Sequence, residues 1–475
     1  MRTNSKNMPD QPDEQATINL SEQETIQEQA INQPYDRNDL YLYTLRKMAE
    51  SNMETNLTNL TRLLNRRAFF YKSAEIIKEN PDKHFAIMIM DISNFKMLNE
   101  FCSHETGDEI LVYIADIFRD YWKRSCTVVS HFRADIFAML TPFAQKEDLV
   151  EIAMDIHSRI DAFKLPYKVL ASIGICIATS PEMSTSNMCD YASIAKQTIK
   201  GKFYAKYAFF DDKMYQRMLS EKQIENNIVN ALASGQLQAY IQPKVDMRSR
   251  RILGGEALVR WLHPTEGIIS PGRFIPVLEK NGLIIEVDFV IWTQVFSWLH
   301  ERMVSGKNVV PISINISRMH AHDTTFMQRL ISLADEFHVP PSLVILELTE
   351  SSFLNDTDGM YESMLELKQH GFTLSMDDFG TGYSTMTMLK NLPVNEVKID
   401  KGFIDDIENE NACIILENVI HMLKALDKTI IIEGVEHPAQ EEFLLKHNCF
   451  YAQGFMYYKP MPVSNFEALL DAAAT

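Results

Sequence analysis

The sequence predicts an α/β protein in two parts, a mixed α/β domain over residues 57–212 and a (β/α) barrel over residues 236–475. Two observations carry the barrel. Short apolar runs alternate with helical stretches over about 235 residues, the rhythm of parallel strands joined by helices. Those runs end repeatedly in a polar residue, as barrel strands do at the mouth that carries the chemistry. A third observation separates the parts: residues 213–235 form a charged helical connector that closes on Gly235.

Taken in order, residues 1–35 are rich in Gln, Asn, Asp and Glu and poor in aromatics, the composition of a disordered tail. Over 36–56 the apolar positions Leu40, Tyr43, Leu45 and Met48 suggest an amphipathic helix, a stalk or cap leading into the first domain. In that domain HFAIMIMDIS (84–93), VVSHFRADIFAML (128–140) and KVLASIGICIA (168–178) each read as a buried strand, and GDEILVYIADIFRDYW (107–122) as an amphipathic helix. The runs of the second part are VVPISIN (309–315), SLVILE (342–347), FTLSMDD (372–378), EVK (396–398), TIIIE (429–433) and CFYAQ (449–453). Helical stretches such as DGMYESMLELKQHG (358–371) separate most of them.

Composition narrows the function. Apolar residues at 46% and charged residues at 23% belong to a chain that mostly folds. No apolar run reaches the roughly 20 residues that span a bilayer, and the N-terminus lacks a signal-peptide core, so a cytoplasmic protein without a membrane span is expected. The six cysteines are scattered with no CxxC pair, which argues against disulfides and a thiolate zinc site. A formal charge of −18 argues against coating a nucleic-acid polymer but leaves room for a small anion held by local cations or metals.

The polar residues that end the runs are Asn315, Glu347, Asp377, Asp378, Lys398, Glu433 and Gln453, and Glu256 follows the run RILGG. In a barrel they form one ring around one mouth. Oxygen ligands in this number suit Mg²⁺ or Mn²⁺, and adjacent carboxylates at Asp377 and Asp378 suit two ions about 3.5–4 Å apart. Two such ions with a lysine fit in-line attack of hydroxide on a phosphodiester, where charge builds on phosphoryl oxygens. Taken singly, an Asp-Asp after a strand is more often a cap or a solvated loop, and a lysine more often snorkels to solvent. Joint occurrence at successive strand ends favours the site.

These residues sit in longer motifs. GGEALVRWLHPTEGIISPGRFIPVLEKNGLI (254–284), SINIS (313–317), ELTES (347–351), MDDFGTGYSTMTMLKNLPVNEVKID (376–400), IIEGVE (431–436) and QGFMYYKPM (453–461) resemble the EAL phosphodiesterase family over nearly all of 236–470. The resemblance implies a modified TIM (β/α)8 barrel that hydrolyses cyclic di-GMP to linear pGpG with two Mg²⁺ or Mn²⁺ ions. It implies metal ligation by Glu256, Asn315, Glu347, Asp377 and Asp378, a water-polarising Lys398, Glu433 as general base and Gln453 in support. Glu350 would anchor the loop after DDFG, whose Gly380 and Gly382 allow its turn. Arg260 would grip a phosphate, Gln242 and Leu258 would contact the nucleotide, and Glu436 would stand behind them. The family also implies a homodimer through the barrel. The alternative is a catalytically silent cyclic di-GMP receptor that signals to a protein partner. The complete set from Glu256 to Gln453 argues against it.

The first domain resembles the GGDEF diguanylate cyclase family through NLTRLLNRRAFF (59–70), MDISNFKMLNE (90–100), HETGDEIL (104–111) and LASIGICIA (170–178). The resemblance implies a ferredoxin-like α/β fold, but in degenerate form. The name motif falls on Arg133-Ala134-Asp135-Ile136-Phe137, where side chains replace glycines and Ile136 replaces a carboxylate. Ser93 stands in place of a second metal-binding aspartate, and Thr127 lacks the acid of an inhibitory RxxD site. Cyclase activity is therefore not expected. Asp91, Asn99 and Asp108 remain as a vestigial nucleotide site that would take GTP weakly, although Asn99 and Asp108 read more readily as caps of the helices around them.

Overall fold

The computed structural model describes residues 56–163, 169–180, 182–202, 204–323, 325–349, 357–380, 389 and 393–473. The expected tail, the expected stalk up to residue 55, Glu350, Gly382 and the loop after DDFG lie outside the described residues. Two compact units divide between Met218 and Leu219.

The first unit runs α1 (Arg66–Glu79), β1 (His84–Ile92), α2 (Phe95–Phe101), α3 (His104–Trp122), β2 (Val128–Arg133), β3 (Ile136–Phe143), α4 (Lys146–Asp161), β4 (Ala171–Ile177), α5 (Thr185–Ile199) and β5 (Tyr207–Phe209). Its sheet has the order β2-β3-β1-β4-β5, with β1 antiparallel to both β3 and β4. This is the βαββαβ ferredoxin-like arrangement with β5 added in parallel at one edge. Strand β1 reads as a continuous apolar run because both faces are covered. Ala86, Met88 and Met90 pack with Ile110, Ile114 and Phe118 of α3, while Phe85, Ile87 and Ile89 pack with Met188 and Ala192 of α5.

One expected element is corrected here. VVSHFRADIFAML is not one strand but the hairpin β2–β3, in which Arg133 pairs with Ile136. Its turn is held by polar contacts that a reading of apolar runs does not register. His131 Nε2 lies 2.6 Å from Ala134 O, and Asp135 Oδ2 accepts from Ile92 N at 3.2 Å. Ala134 keeps the left-handed backbone, at φ 45, that a glycine would adopt more readily.

A single helix, α6 (Asp212–Ala233), crosses the division between the units. Its later residues Ile224, Ile228 and Ala231 join the apolar cluster of Leu237, Trp261 and Phe274. It stops where Gly235 takes φ 67 and Gln236 N donates back to Ala231 O at 3.0 Å, a helix end that favours glycine.

The second unit continues β6 (Leu237–Asp246), β7 (Ile252–His263), β8 (Gly267–Ile269), α7 (Pro271–Asn281), α8 (Ile284–Val304), β9 (Ile312–Asn315), α9 (Phe326–Glu336), β10 (Val344–Thr349), α10 (Thr357–Gln369), β11 (Thr373–Phe379), β12 (Glu396–Ile399), α11 (Glu410–Ala425), β13 (Thr429–Glu433), α12 (Pro438–Lys446), β14 (Tyr451–Gln453), β15 (Met461–Pro462) and α13 (Val463–Ala473). Strands β7 and β9 to β14 run parallel, and β6 closes the barrel antiparallel to both β14 and β7. The inversion has a local cause. Asp246 Oδ1 accepts from Arg248 N at 2.9 Å and Arg250 takes φ 60, making a tight turn that can only join antiparallel strands. The apolar runs predicted β9 to β14 at nearly their observed positions. They did not show the inverted first strand.

Candidate active site

Lys398 stands at the centre of the barrel mouth. Its Nζ lies 2.7 Å from Glu433 Oε1, 2.9 Å from Glu347 Oε2, 2.9 Å from Asp377 Oδ1 and 3.0 Å from Glu256 Oε2. Four strands supply these carboxylates and β12 supplies the amine, so closure of the barrel makes the site. An ammonium has three N–H donors, and four carboxylates share them. Gln453 Nε2 donates to Glu256 Oε2 at 2.7 Å and to Gln242 Oε1 at 3.1 Å, and Asn315 Nδ2 donates to Glu256 Oε1 at 3.0 Å. Gln453 Oε1 is buried and has no hydrogen-bond partner.

Glu256 departs from the expected pattern of strand ends. It sits in the middle of β7, opposite Gln242 of β6 and Ser313 of β9, because β7 runs on to His263 to pair with β8. Leu258 and Arg260 follow on the same face at intervals of two and are half-buried above it, while Ala257 and Trp261 turn to the outer core. Arg260 Nη1 donates to Val259 O at 2.8 Å.

Alternation along a strand would send Asp377 and Asp378 to opposite faces. The β11–β12 register shifts between Met376 and Phe379, and Asp378 takes φ 54. This bulge re-aims the second carboxylate. Ligand oxygens of Asp377, Asp378 and Glu433 then lie within 4.8 Å of one another, as do those of Glu256, Glu347 and Asp377. Asp377 belongs to both groups. Gly380, at φ 96, lets the chain leave β11 against the ring of Phe403, which a Cβ would meet at 2.1 Å.

Burial and mutual repulsion set the charge states. Burial raises the Glu433 carboxyl to about 8 against the pull of Lys398, and burial also raises Glu256, Asp377 and Asp378. Burial would depress Lys398, but Asp377, Glu256, Glu347 and Glu433 hold it well above its ordinary value. Burial would raise Glu347, yet Lys244 and Lys398, one at each oxygen, pull it down to about 2. With the five mouth carboxylates ionised, Lys398 offsets one charge and leaves four.

A further layer lies deeper in the barrel and was not anticipated. Lys244 Nζ reaches Ser313 Oγ at 2.7 Å, Glu347 Oε1 at 2.8 Å and Glu396 Oε1 at 2.9 Å, and Ser375 Oγ donates to Glu396 Oε1 at 3.1 Å. Lys244, Ser313, Ser375 and Glu396 each lie two residues from Gln242, Asn315, Asp377 and Lys398 on the same strand. The period of two along a strand was the signal that could have found them.

Other expected residues lie apart. Glu436 pairs with Lys401, Nζ to Oε1 at 2.7 Å, which lowers its carboxyl, and it does not join the cluster. In the first unit Asp91 is buried, with Lys200 and Lys196 on its Oδ2 at 2.8 and 2.9 Å. Asn99 Oδ1 is buried without a partner and faces Gly107, while Asp108 is exposed on α3. Neither Asn99 nor Asp108 caps a helix, since both lie inside α2 and α3.

The chain belongs to the EAL-domain family, whose model matches residues 225–460, and the diguanylate cyclase GGDEF-domain model matches residues 55–202. Among its relatives is the bifunctional diguanylate cyclase/cyclic di-GMP phosphodiesterase MucR of Pseudomonas aeruginosa, 30% identical over 88% of this chain and 61% of that protein. The cyclic di-GMP phosphodiesterase NbdA of the same organism is 28% identical over 87% of this chain and 54% of that protein. The chain therefore spans between half and two thirds of these curated relatives. A solved structure titled PaMucR phosphodiesterase, c-di-GMP complex, is 34% identical and covers 51% of this chain and 99% of its own, with a TM-score of 0.49. Among the described residues, no helix is long and apolar enough to cross a membrane.

Proposed function

We propose that the chain is a divalent-metal-dependent phosphodiesterase that opens cyclic di-GMP to linear pGpG in the barrel mouth, with the GGDEF-like half as a non-catalytic regulatory or scaffold domain. The observation that carries this is Asp377 shared between two carboxylate groups around Lys398. The donor set fits two Mg²⁺ or Mn²⁺ ions on three grounds. Every candidate ligand is a hard oxygen, the five mouth carboxylates, once ionised, carry four negative charges that Lys398 does not offset, and Gln453 Oε1 is an unpartnered buried acceptor. Glu256, Asn315, Glu347 and Asp377 would hold one ion and Asp377 with Asp378 the other. When bound, the ions supply Lewis-acid stabilisation of charge developing on the phosphoryl oxygens.

The protein's own groups do the rest. Glu433, raised towards neutrality by burial, is suited to take the proton of the attacking water, since a base works best near the ambient pH. Lys398, charged throughout the working range, orients that carboxylate and polarises the water. Arg260, on the face of β7 that rises from Glu256, binds a non-bridging phosphate oxygen. Leu258 and Gln242 contact the nucleotide, and Gln242 is itself held through Nε2 to Tyr458 O at 3.1 Å. Glu436, held by Lys401, would act from outside this cluster, and Glu350 would anchor the loop after DDFG. The reading includes a dimer formed through the barrel, a cytoplasmic setting and weak GTP binding at Asp91, Asn99 and Asp108.

Purified protein with cyclic di-GMP and Mn²⁺ or Mg²⁺, followed by chromatography, tests the reading. Conversion to pGpG that EDTA abolishes is expected, with little turnover in Ca²⁺, which is larger and less exacting in geometry. Bound but intact cyclic di-GMP after long incubation with excess enzyme would return the silent-receptor alternative.

A further inference from the structure

Among the described residues, Lys244 is the one lysine besides Lys398 that reaches a mouth carboxylate, and the reaction described above leaves it no task. It is 3% exposed, on the inverted strand β6, and its ammonium crosses the interior to β9, β10 and β12. Three donors meet three acceptors there, so none is left over. Glu396, 7% exposed, offsets its charge, so the pair adds no net positive charge to repel an ion above.

The consequence falls on Glu347. Its two oxygens are divided, Oε1 to Lys244 at 2.8 Å and Oε2 to Lys398 at 2.9 Å. The terminal torsion of a glutamate is broad, so a free carboxylate would turn and offer either oxygen or both. With Oε1 fixed from below, Oε2 is the oxygen turned to Lys398, the ammonium that Glu256 and Asp377 also contact. We propose that Lys244 is a positioning residue that holds Glu347 in one orientation and so presents a single preset oxygen to the ion that Glu256, Glu347 and Asp377 bind. This rests on the metal-dependent reading above. Partners that orient a metal ligand in this way typically set affinity by about 10–100-fold.

The probe is Mn²⁺ alone, titrated into the full chain by calorimetry and by the resonance signal of free Mn²⁺, with the melting temperature recorded alongside. Lys244→Met with Glu396→Gln removes both charges and keeps the volume. It should stay folded and lose about tenfold or more in Mn²⁺ affinity. A folded double variant with the wild-type affinity overturns the proposal. Ser313→Ala with Ser375→Ala trims the two hydroxyls of the layer and leaves both charges and the Lys244–Glu347 contact. Its Mn²⁺ affinity should stay within about threefold of wild type, below the tenfold change typical of a lost orienting partner. A tenfold fall there would assign the effect to the layer as a whole and overturn the proposal even if the first variant does not fold. Wild-type protein that binds no Mn²⁺ would instead overturn the metal-dependent reading, and this inference with it.

Discussion

Single side chains carry two predictions. Glu433→Gln keeps the shape of the mouth and removes the base. Its kcat should fall by about 10²–10⁴ while the affinity for cyclic di-GMP stays nearly unchanged. Turnover close to wild type would move the proton to another group. The second concerns pH. In the metal-free protein burial lifts Glu433 from 4.5 to about 8, so between those values the fold binds a proton that the unfolded chain has released. Stability must then fall as pH rises through that window. Glu347, shifted the other way, loses its contribution only below 4.5, and Lys398 stays charged throughout. In EDTA the melting temperature should decline from pH 5 to 8, and saturating Mn²⁺ should remove the decline. A flat profile in EDTA would place Glu433 in a more solvated setting.

At the scale of elements, the bulge in β11 is the feature on which two adjacent carboxylates depend. Asp378→Asn keeps a residue that tolerates φ 54 and should leave stability almost unchanged while weakening the second of two Mn²⁺ sites in a titration. Asp378→Val places a β-branched residue there and should cost about 1–3 kcal/mol of stability in denaturant unfolding. Equal stability for the two variants would mean that the bulge is not strained. The same element marks how far the sequence could be read. Asp377 and Asp378 were legible as a pair, and so were the strands that carry Asn315, Glu347, Lys398 and Glu433, because each ends an apolar run. Glu256 was grouped with the strand ends because it follows the run RILGG, whereas a hairpin partner lengthens β7 beyond that stretch and leaves it mid-strand. Lys244 and Glu396 were passed over because charge in a strand interior reads as a solvent-facing residue until a closed barrel makes that face the inside. The hairpin β2–β3 was missed because its turn rests on His131 and Asp135, not on glycine.

Across the whole molecule, the two units divide the chemistry unequally. The carboxylate groups in the described residues that could hold a metal ion are all in the barrel. In the first unit the aspartate that survives from a cyclase-like metal pair, Asp91, is held by Lys196 and Lys200, which already offset its charge. Full-length protein given GTP and Mg²⁺ should therefore form no detectable cyclic di-GMP, and product in that assay would restore a bifunctional enzyme. The central claim is hydrolysis at the barrel mouth, and ¹⁸O transfer tests it most directly. Wild-type protein with Mn²⁺ and cyclic di-GMP in H₂¹⁸O should yield pGpG with one ¹⁸O on its terminal phosphate, and Glu433→Gln should yield almost none. Cyclic di-GMP recovered intact from the wild-type reaction, or labelled product formed equally by Glu433→Gln, would contradict the account.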